Sequence, residues 1–241
     1  INLLDIYTFM KKANYTDNQI PIDFSFVTEK TFDNFIIGNN EAIIKSLLVF
    51  PEIKPTNIIT VYGEKSSGKT HLCKATGNIS DNKSIYINSD NAGSLSIKED
   101  LCSFLIIDDI DLILKKFDIE EKIFTLVNDF ILNNKGILVT STINLKKIKF
   151  KIPDLLSRFS WGLSFKINDL SDLDKIKVLK KYSHERGLTL SPLVCDYIIT
   201  HFKRELYYLC NSIRYLDHKS LSLKKKITIP FIKKIIELKS S

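Results

Sequence analysis

Short apolar runs rich in β-branched residues alternate with amphipathic stretches through the first two thirds of the chain. Turn-forming or polar residues bound these runs, a pattern that is typical of buried strands. The runs cover residues 57–62, 84–88, 103–108 and 136–141, with 161–167 as a further candidate. Helical periodicity between them predicts helices over 70–76 and 120–133. The alternation predicts βαβ units, and therefore an α/β core in which helices cover both faces of a parallel sheet.

From about residue 168 the pattern changes, and only the 3.6-residue period remains. Four amphipathic stretches follow, at 170–186, 192–202, 205–218 and 229–238. Stretches of this kind place their apolar positions on one face of a helix, which must be buried against other helices. The sequence therefore predicts a second, all-helical domain.

A glycine-rich segment follows the first predicted strand directly. Residues 63–70 read GEKSSGKT, a complete G-x-x-x-x-G-K-[ST] phosphate loop. In such a loop the glycines let backbone N–H groups point at phosphate oxygens, Lys69 adds a positive charge, and the Thr70 hydroxyl is placed for Mg²⁺. The candidate nucleotide-binding residues of this segment are Gly63, Ser66, Ser67, Gly68, Lys69, Thr70 and His71.

A second element fits the first. Residues 105–109 read LIIDD, an apolar strand that ends in two acids, as expected of a Walker B strand. An aspartate at the end of such a strand holds the Mg²⁺ shell, so Asp108 joins Thr70 as a candidate metal residue. Many ATP-hydrolysing proteins with a phosphate loop and a Walker B strand carry glutamate at the next position, where it orients the attacking water. Here that position is Asp109, the candidate catalytic residue, whose side chain is one methylene shorter than that of glutamate. The sequence therefore supports nucleotide binding better than nucleotide hydrolysis.

The net charge of +7 is unevenly distributed along the chain. Residues 1–140 hold 14 Lys and Arg against 19 Asp and Glu, whereas residues 141–241 hold 21 against 9. A basic second half is compatible with nucleic acid, an acidic protein partner or an anionic ligand. The competing interpretation is a set of lysines on solvated helix faces.

The sequence gives no indication of a membrane span, a secretory signal or a zinc site. No apolar run approaches 18 residues, and the first ten residues contain an acid and no basic residue. The four cysteines are widely spaced without a C-x-x-C pair, so we expect them to be reduced. A cytoplasmic protein without membrane contact is the expectation.

Several strings resemble the AAA+ ATPases of the DnaA/Hda branch, which contains the bacterial replication initiator and its relatives. They are TFDNFIIG at 31–38, the phosphate loop, LIIDDI at 105–110, LSRFSWGL at 156–163 and REL at 204–206. The resemblance extends from about residue 19 to the end. It implies an AAA+ P-loop core with a three-layer parallel sheet, followed by a small all-helical lid domain.

The resemblance also implies roles for individual residues. Ile36, Ile37 and Gly38 would line the adenine side of the pocket, and Arg204 would be the sensor 2 arginine of the lid. Arg158 would be an arginine finger that projects toward the nucleotide of a neighbouring subunit, where a planar guanidinium suits phosphate oxygens.

The sensor 1 position of this branch corresponds to residues 140–142. In DnaA an acid follows the Thr-Ser pair, whereas Thr142 stands there in this chain. Together with Asp109, this departure predicts weak intrinsic hydrolysis, with ADP or ATP and Mg²⁺ as cofactors.

Two features of the initiator are missing. Only about 14 residues, 89–102, separate the second strand from the Walker B strand, where DnaA carries a longer helical insertion that binds single-stranded DNA. The sequence also ends at Ser241 after the lid, without a helix-turn-helix domain. We therefore expect direct DNA contact to be weak or absent.

Residues 19–24 read QIPIDF, with the form Q-x-x-I-x-F. Short peptides of this form dock on the replicative sliding clamp, with the Gln in a polar niche and apolar side chains in a groove. The candidate clamp-binding residues are Gln19, Ile20, Ile22 and Phe24. Similar motifs precede the core in Hda-type regulators, whose lid terminus also resembles residues 227–233.

These features predict a clamp-binding arm at 1–24, a core at 25–167 and a lid at 168–241. The expected function is an adaptor that docks on the DNA-loaded clamp and stimulates ATP hydrolysis by DnaA through Arg158; a homo-oligomer is compatible with the resemblance. One alternative is a DnaC-type helicase loader or another DNA-dependent ATPase that uses the lysines at 146, 147, 149 and 151. Another is an interaction module whose phosphate loop is only structural.

Overall fold

The computed structural model describes residues 29–50, 58–79, 84–94 and 102–237 of the chain. Gln19, Ile20, Ile22 and Phe24 lie outside these residues, so the clamp-binding motif stays a prediction. No helix among the described residues is both long and apolar enough to span a bilayer.

A five-stranded parallel sheet forms the centre of the core. Its strands are β1 (Ile58–Tyr62), β2 (Ser84–Ile87), β3 (Phe104–Ile107), β4 (Gly136–Ser141) and β5 (Leu163–Lys166), in the order β2-β3-β4-β1-β5. β1 pairs in parallel with β4 on one side and with β5 on the other. The predicted parallel sheet is confirmed, and β1, the strand that leads into the phosphate loop, lies between β4 and the edge strand β5.

Helices pack against both faces of this sheet. Alternate residues of a strand point to opposite faces, and each face carries its own apolar cluster. Ile107 and Val139 pack with the cluster formed by α3 (Ile110–Lys116), α4 (Glu120–Leu132) and α5 (Pro153–Phe159). Ile106 and Leu138 pack with the cluster formed by α1 (Glu41–Val49) and α2 (Lys69–Ile79). The predicted three-layer arrangement is confirmed.

A second compact unit begins at Leu170 and contains only helices among its described residues. It comprises α6 (Asp172–His184), α7 (Pro192–His201), α8 (Leu206–Ser222) and α9 (Ile229–Glu237). The side chains of Ser171 and Ser191 cap α6 and α7, and the apolar faces of these helices form one cluster. The predicted all-helical domain is confirmed.

A buried ion pair links two segments of this helical unit. Arg186 Nε, beyond the end of α6, donates to Asp217 Oδ2 of α8 at 3.0 Å. The Asp217 side chain is 8% exposed, so removing either partner would leave a charge with little solvent around it.

The end of the core unit is fixed by two asparagines. The Asn168 N–H donates to Asn40 Oδ1 at 2.7 Å, and Asn40 Nδ2 donates to the Asn168 carbonyl at 3.2 Å. This reciprocal pair joins the segment before α1 to the segment after β5.

Candidate nucleotide-binding site

The phosphate loop leaves the carboxyl end of β1 and enters α2 at Lys69. The Gly63 N–H donates to the Ser141 carbonyl at 3.2 Å, which ties the start of the loop to the end of β4. Gly68 has φ +104°, and a Cβ there would lie 2.8 Å from the Phe35 ring. The loop therefore requires glycine at this position both for its backbone and for its packing.

Lys69 is held inside this loop and is only 3% exposed. Its Nζ donates to the carbonyl of Gly63 at 2.8 Å and to that of Glu64 at 2.9 Å. The same nitrogen lies 3.5 Å from Asp109 Oδ1. The ammonium is thus placed between the loop backbone and the end of the Walker B strand, where phosphate charge is expected.

Asp108, directly after β3, has a hydrogen-bond donor on each of its two carboxylate oxygens. Its Oδ1 accepts from Thr140 Oγ1 at 2.7 Å, and its Oδ2 accepts from the Tyr86 hydroxyl at 2.7 Å. Cys73 Sγ lies 3.7 Å from Oδ1. Burial and the nearby Asp108 charge raise the pKa of Tyr86 and of Cys73, so both groups stay protonated donors.

Asp109 turns the chain from β3 into α3. Its backbone is left-handed, with φ 55° and ψ 56°, and its N–H donates to Thr140 Oγ1 at 2.8 Å. The Thr140 hydroxyl therefore ties both acids of the Walker B strand to β4. Burial raises the pKa of the Asp109 carboxyl, and the Lys69 charge opposes this effect.

A cavity of about 240 Å³ opens beside these groups. It is lined by Thr70, Lys74, Tyr86, Asn88, Ser89, Asp90, Asp108, Asp109 and Leu112. Mg²⁺ at nucleotide sites takes one or two protein oxygens and completes its shell with phosphates and water, and Thr70 and Asp108 offer such oxygens. In the adjoining loop, the buried Ser67 Oγ has no hydrogen-bond partner among the described residues, as expected of a group that meets a ligand. These residues fit a magnesium–nucleotide complex.

The predicted adenine side is built around Phe35 and His71. Their rings meet edge to face with centroids 5.2 Å apart, and His71 Nε2 lies 2.8 Å from the Thr31 carbonyl oxygen. Ile36 is half-buried, and Ile37 is 37% exposed, which leaves apolar surface beside the loop. The role of Ile36, Ile37 and Gly38 against a base stays a prediction.

Thr142, at the sensor 1 position, is bonded to the protein itself. Its N–H donates to Asp111 Oδ1 at 2.8 Å, and its hydroxyl donates to Asp111 Oδ2. Asp111 lies in the first turn of α3 and is buried. Thr142 therefore fastens the end of β4 to α3.

Sequence reasoning missed Tyr86 and Asp111 as parts of this site. Tyr86 pairs in register with Ile106, which places its hydroxyl beside Asp108 two residues further along the neighbouring strand. The available signal was a tyrosine near the end of an apolar strand, but the contact depends on which strands are neighbours.

Arg158 lies at the opposite end of the sheet from the phosphate loop. It lies in the last turn of α5, and its guanidinium carbon lies 4.4 Å from the centroid of the Trp161 ring, which is 60% exposed. The following Gly162 packs on Ile58, the first residue of β1. The phosphate loop follows the last residue of β1, and this five-residue strand is about 13 Å long.

The structure thus brings together Lys69, Thr70, Asp108 and Asp109, and it does not bring Arg158 to them. Arg204 belongs to the helical unit, just before α8, where its Nη1 lies 3.7 Å from Asp172 Oδ2. Its guanidinium is largely exposed, so the ion pair leaves it available for another partner.

Comparison with known families places both parts of the chain in one group of proteins. The family model for the bacterial DnaA ATPase domain matches residues 27–166, and the model for the Hda lid domain matches residues 172–236. An uncharacterized protein of Haemophilus influenzae is 31% identical over 230 residues, which cover 92% of this chain and 100% of that protein.

Solved structures agree with these matches. Domain III of the replication initiation protein DnaA from Thermotoga maritima has the same fold, with a TM-score of 0.73 at 20% identity over 87% of this chain and 96% of that one. AMPPCP-bound DnaA from Aquifex aeolicus has a TM-score of 0.64 at 25% identity over 81% of this chain and 66% of that one. The Thermotoga maritima RuvB branch migration motor shares the fold at a TM-score of 0.62 and 16% identity, over 87% and 72% of the two chains.

Proposed function

This chain belongs to the DnaA-related AAA+ ATPases and to their Hda branch, and on this premise we propose that it is an adaptor that inactivates ATP-bound DnaA. In this proposal it binds ADP or ATP with Mg²⁺ at its own phosphate loop. It docks on the DNA-loaded sliding clamp and supplies Arg158 to the ATP held by DnaA. Hydrolysis in the partner then switches the initiator off.

The observation that carries the proposal is the position of Arg158. The α5–β5 connection that carries it meets the amino end of β1 at Gly162, whereas the phosphate loop follows the carboxyl end of that strand, about 13 Å further along. An arginine in this position suits a nucleotide held by another protein. Stacking on Trp161 restricts the guanidinium, so less side-chain entropy is lost when it meets a phosphate.

The surroundings of Arg158 also have the composition of a protein interface. Trp161 and Leu163 are 60% and 53% exposed, and β5 is an edge strand of the sheet. Arginine and tryptophan are enriched where binding energy concentrates at interfaces. We assign this surface, defined by Arg158, Trp161 and Leu163, to contact with DnaA.

At its own site the chain would bind nucleotide rather than turn it over rapidly. Lys69 and the loop N–H groups would meet the phosphates, Ile36, Ile37 and Gly38 the base, and Thr70 and Asp108 would hold Mg²⁺, which neutralises phosphate charge when bound. Asp109 is the candidate base that orients water. Asp109 has a left-handed backbone and lies close to Lys69. The position where DnaA carries a sensor 1 acid is held by Thr142, which is bonded to Asp111. We therefore propose weak intrinsic hydrolysis, and Arg204 of the lid stays the proposed sensor 2 arginine.

The proposal is tested by following ATP hydrolysis by DnaA in the presence of clamp-loaded DNA. Arg158→Ala should abolish stimulation while leaving the affinity of this chain for ADP nearly unchanged. Arg214→Ala, which removes an exposed arginine of the helical unit, is the matched control and should stimulate like the wild type. If Arg158→Ala loses ADP binding instead, the arginine acts at this chain's own site and the proposal fails.

Clamp docking is tested separately. Replacing Gln19 and Phe24 by Ala should abolish binding to the isolated clamp without changing ADP affinity. Unchanged clamp binding would remove the motif from the proposal but not the role of Arg158.

A DnaC-type loader is the second candidate, favoured by the exposed lysines that precede α5. It requires turnover at this chain's own site, stimulated by DNA or by a helicase. Measurable ATP hydrolysis by this chain alone, raised by DNA, together with no effect on DnaA would favour it.

A further inference from the structure

A lysine-rich segment crosses the surface between the sensor 1 strand and the helix that carries Arg158. We name residues 144–152 the basic strap; they link β4 to α5. From residue 142 to residue 153 the sequence holds four lysines and no acid. None of the strap residues lines the cavity beside the phosphate loop.

The core fixes the strap along its length. The Asn144 side chain accepts from the Lys146 N–H at 2.9 Å, and the Ile152 N–H donates to Glu120 Oε1 at 2.8 Å. Leu145 is buried, and the apolar residues beyond it pack against the main core cluster, namely Ile148, Phe150 and Ile152. Because the apolar positions face inward, the lysines between them are held in solvent.

Three of the four lysines have no acidic partner within the described ranges. Lys146, Lys147 and Lys149 are exposed and unpaired there, whereas Lys151 Nζ lies 2.8 Å from Asp118 Oδ1. Exposed acids lie at the Lys151 end, where Glu121 at the start of α4 and Asp154 in α5 join Asp118. The two buried acids nearby are bonded to the chain itself, Asp111 to Thr142 and Glu120 to the Ile152 N–H. The positive charge is therefore concentrated at 146–149.

The spacing of these charges suits a polyanion. The backbone is extended at Ile148, so the Cα atoms of Lys147 and Lys149 lie about 6 to 7 Å apart. Such a row can meet successive charges along a chain, whereas a single phosphate ion could contact only one or two of them.

The composition of the strap favours nucleic acid over protein. Lysine is depleted in protein interfaces, where arginine and aromatic residues dominate. The strap exposes lysines only, and its one aromatic residue, Phe150, packs inward. The surface around Arg158 and Trp161 shows the opposite composition. We infer that the basic strap binds the phosphodiester backbone of DNA without reading base sequence.

Such contact is expected to be weak and sensitive to salt. Non-specific DNA binding of this electrostatic kind has a Kd of roughly 10⁻⁴ to 10⁻⁶ M at physiological salt. Each phosphate contact contributes about 0.7 to 0.9 to the slope of log affinity against log salt concentration, so three lysines account for about 2 to 3. The inference agrees with the expected weak DNA contact and assigns it to one surface.

The experiment uses the full chain and fluorescently labelled DNA of mixed sequence, 30 base pairs as a duplex or 30 nucleotides as a single strand. Binding is measured by anisotropy between about 20 and 200 mM salt, a range over which phosphate contacts dominate the change in affinity. The test variant is Lys146→Gln/Lys147→Gln/Lys149→Gln. The matched control is Lys224→Gln/Lys225→Gln/Lys226→Gln, which removes the same charge from three exposed lysines after α8.

The strap variant should bind DNA at least about tenfold more weakly than the wild type at low salt. Its slope of log affinity against log salt concentration should be smaller by about 2 to 3, whereas the control variant should keep most of the affinity and of the slope. Thermal melts of both variants should match the wild type. Equal losses in the two variants, or no binding by the wild type at 20 mM salt, would overturn the inference. A strap variant that keeps its DNA affinity and loses only stimulation of DnaA would also overturn it, in favour of an acidic protein surface. The DNA measurement contains no DnaA, so its failure and that of the proposed function are distinguishable.

Discussion

Two hydrogen bonds orient the carboxylate of Asp108, the proposed magnesium ligand. Thr140 and Tyr86 each donate to one carboxylate oxygen at 2.7 Å, which fixes the plane of the carboxylate. Groups behind a metal ligand commonly change metal affinity 10- to 100-fold when removed. Tyr86 is therefore a positioning residue for the candidate Mg²⁺ site.

We predict that Tyr86→Phe raises the Mg²⁺ concentration needed for half-maximal ADP binding by about tenfold or more. The aromatic ring stays in place, so the loss is that of the hydroxyl. The measurement is the fluorescence of a labelled ADP titrated with Mg²⁺. Tyr197→Phe, in the helical unit, should leave the requirement unchanged; an unchanged requirement in Tyr86→Phe would mean that Thr140 alone orients Asp108.

Asp109 gives a prediction about pH. Burial raises the pKa of its carboxyl in the folded state above the ordinary value of 3.8, so the folded protein binds this proton more tightly than the unfolded chain. Ionisation of Asp109 therefore lowers stability once the pH rises above about 4. Asp109→Asn should be more stable than the wild type at pH 7, and asparagine also tolerates the left-handed backbone.

The stability difference should shrink as the pH falls toward 3.8, as measured by urea unfolding at several pH values. Asp196→Asn, on the exposed side of α7, is the control and should show little difference. A less stable Asp109→Asn protein at pH 7 would mean that the Lys69–Asp109 pair outweighs the burial of the carboxylate.

Among the elements, the connection from α5 to β5 is the one that sets the position of Arg158. A Cβ at Gly162 would lie 1.8 Å from the Ile58 carbonyl oxygen, which is backbone and cannot move aside. Gly162→Ala should therefore lower the free energy of unfolding by about 2 to 4 kcal/mol.

Urea unfolding checks this prediction against Gly77→Ala. A Cβ at Gly77 would meet its neighbours at 3.4 Å or more, and Gly77 lies within α2, so this change should stabilise the protein by about 0.5 to 1 kcal/mol. Equal stabilities for the two variants would contradict the close approach of the α5–β5 connection to β1.

Elements with a strong period or a motif could be predicted from the sequence. β4 has the predicted bounds, 136–141, because Gly136 marks the start of a run with the β-branched and apolar centre 137–140, and Ser141 marks its end. The helices Glu41–Val49 and Ile110–Lys116 were not predicted. The second is only seven residues long and follows β3 without a polar break, so periodicity cannot separate it from the strand.

At the scale of the whole molecule, the sequence was sufficient for the fold class and the phosphate loop, because both depend on local patterns. It was insufficient for the side-chain contacts that depend on which strands and helices are neighbours in the sheet. The contact of Tyr86 with Asp108 requires β2 beside β3, and that of Thr142 with Asp111 requires β4 beside the start of α3. The separation of Arg158 from the phosphate loop likewise becomes visible only when β5 is paired with β1.

The most direct test of the account is a single-turnover measurement in which only DnaA carries labelled ATP. DnaA is loaded with radiolabelled ATP, this chain is loaded with ADP, and clamp-loaded DNA is added before product is followed. We predict rapid hydrolysis with the wild type and with Arg214→Ala, and none above the basal rate with Arg158→Ala; an arginine supplied in trans is worth about 10³ to 10⁵ in rate in GTPases. Stimulation by Arg158→Ala equal to that of the wild type would contradict the central claim.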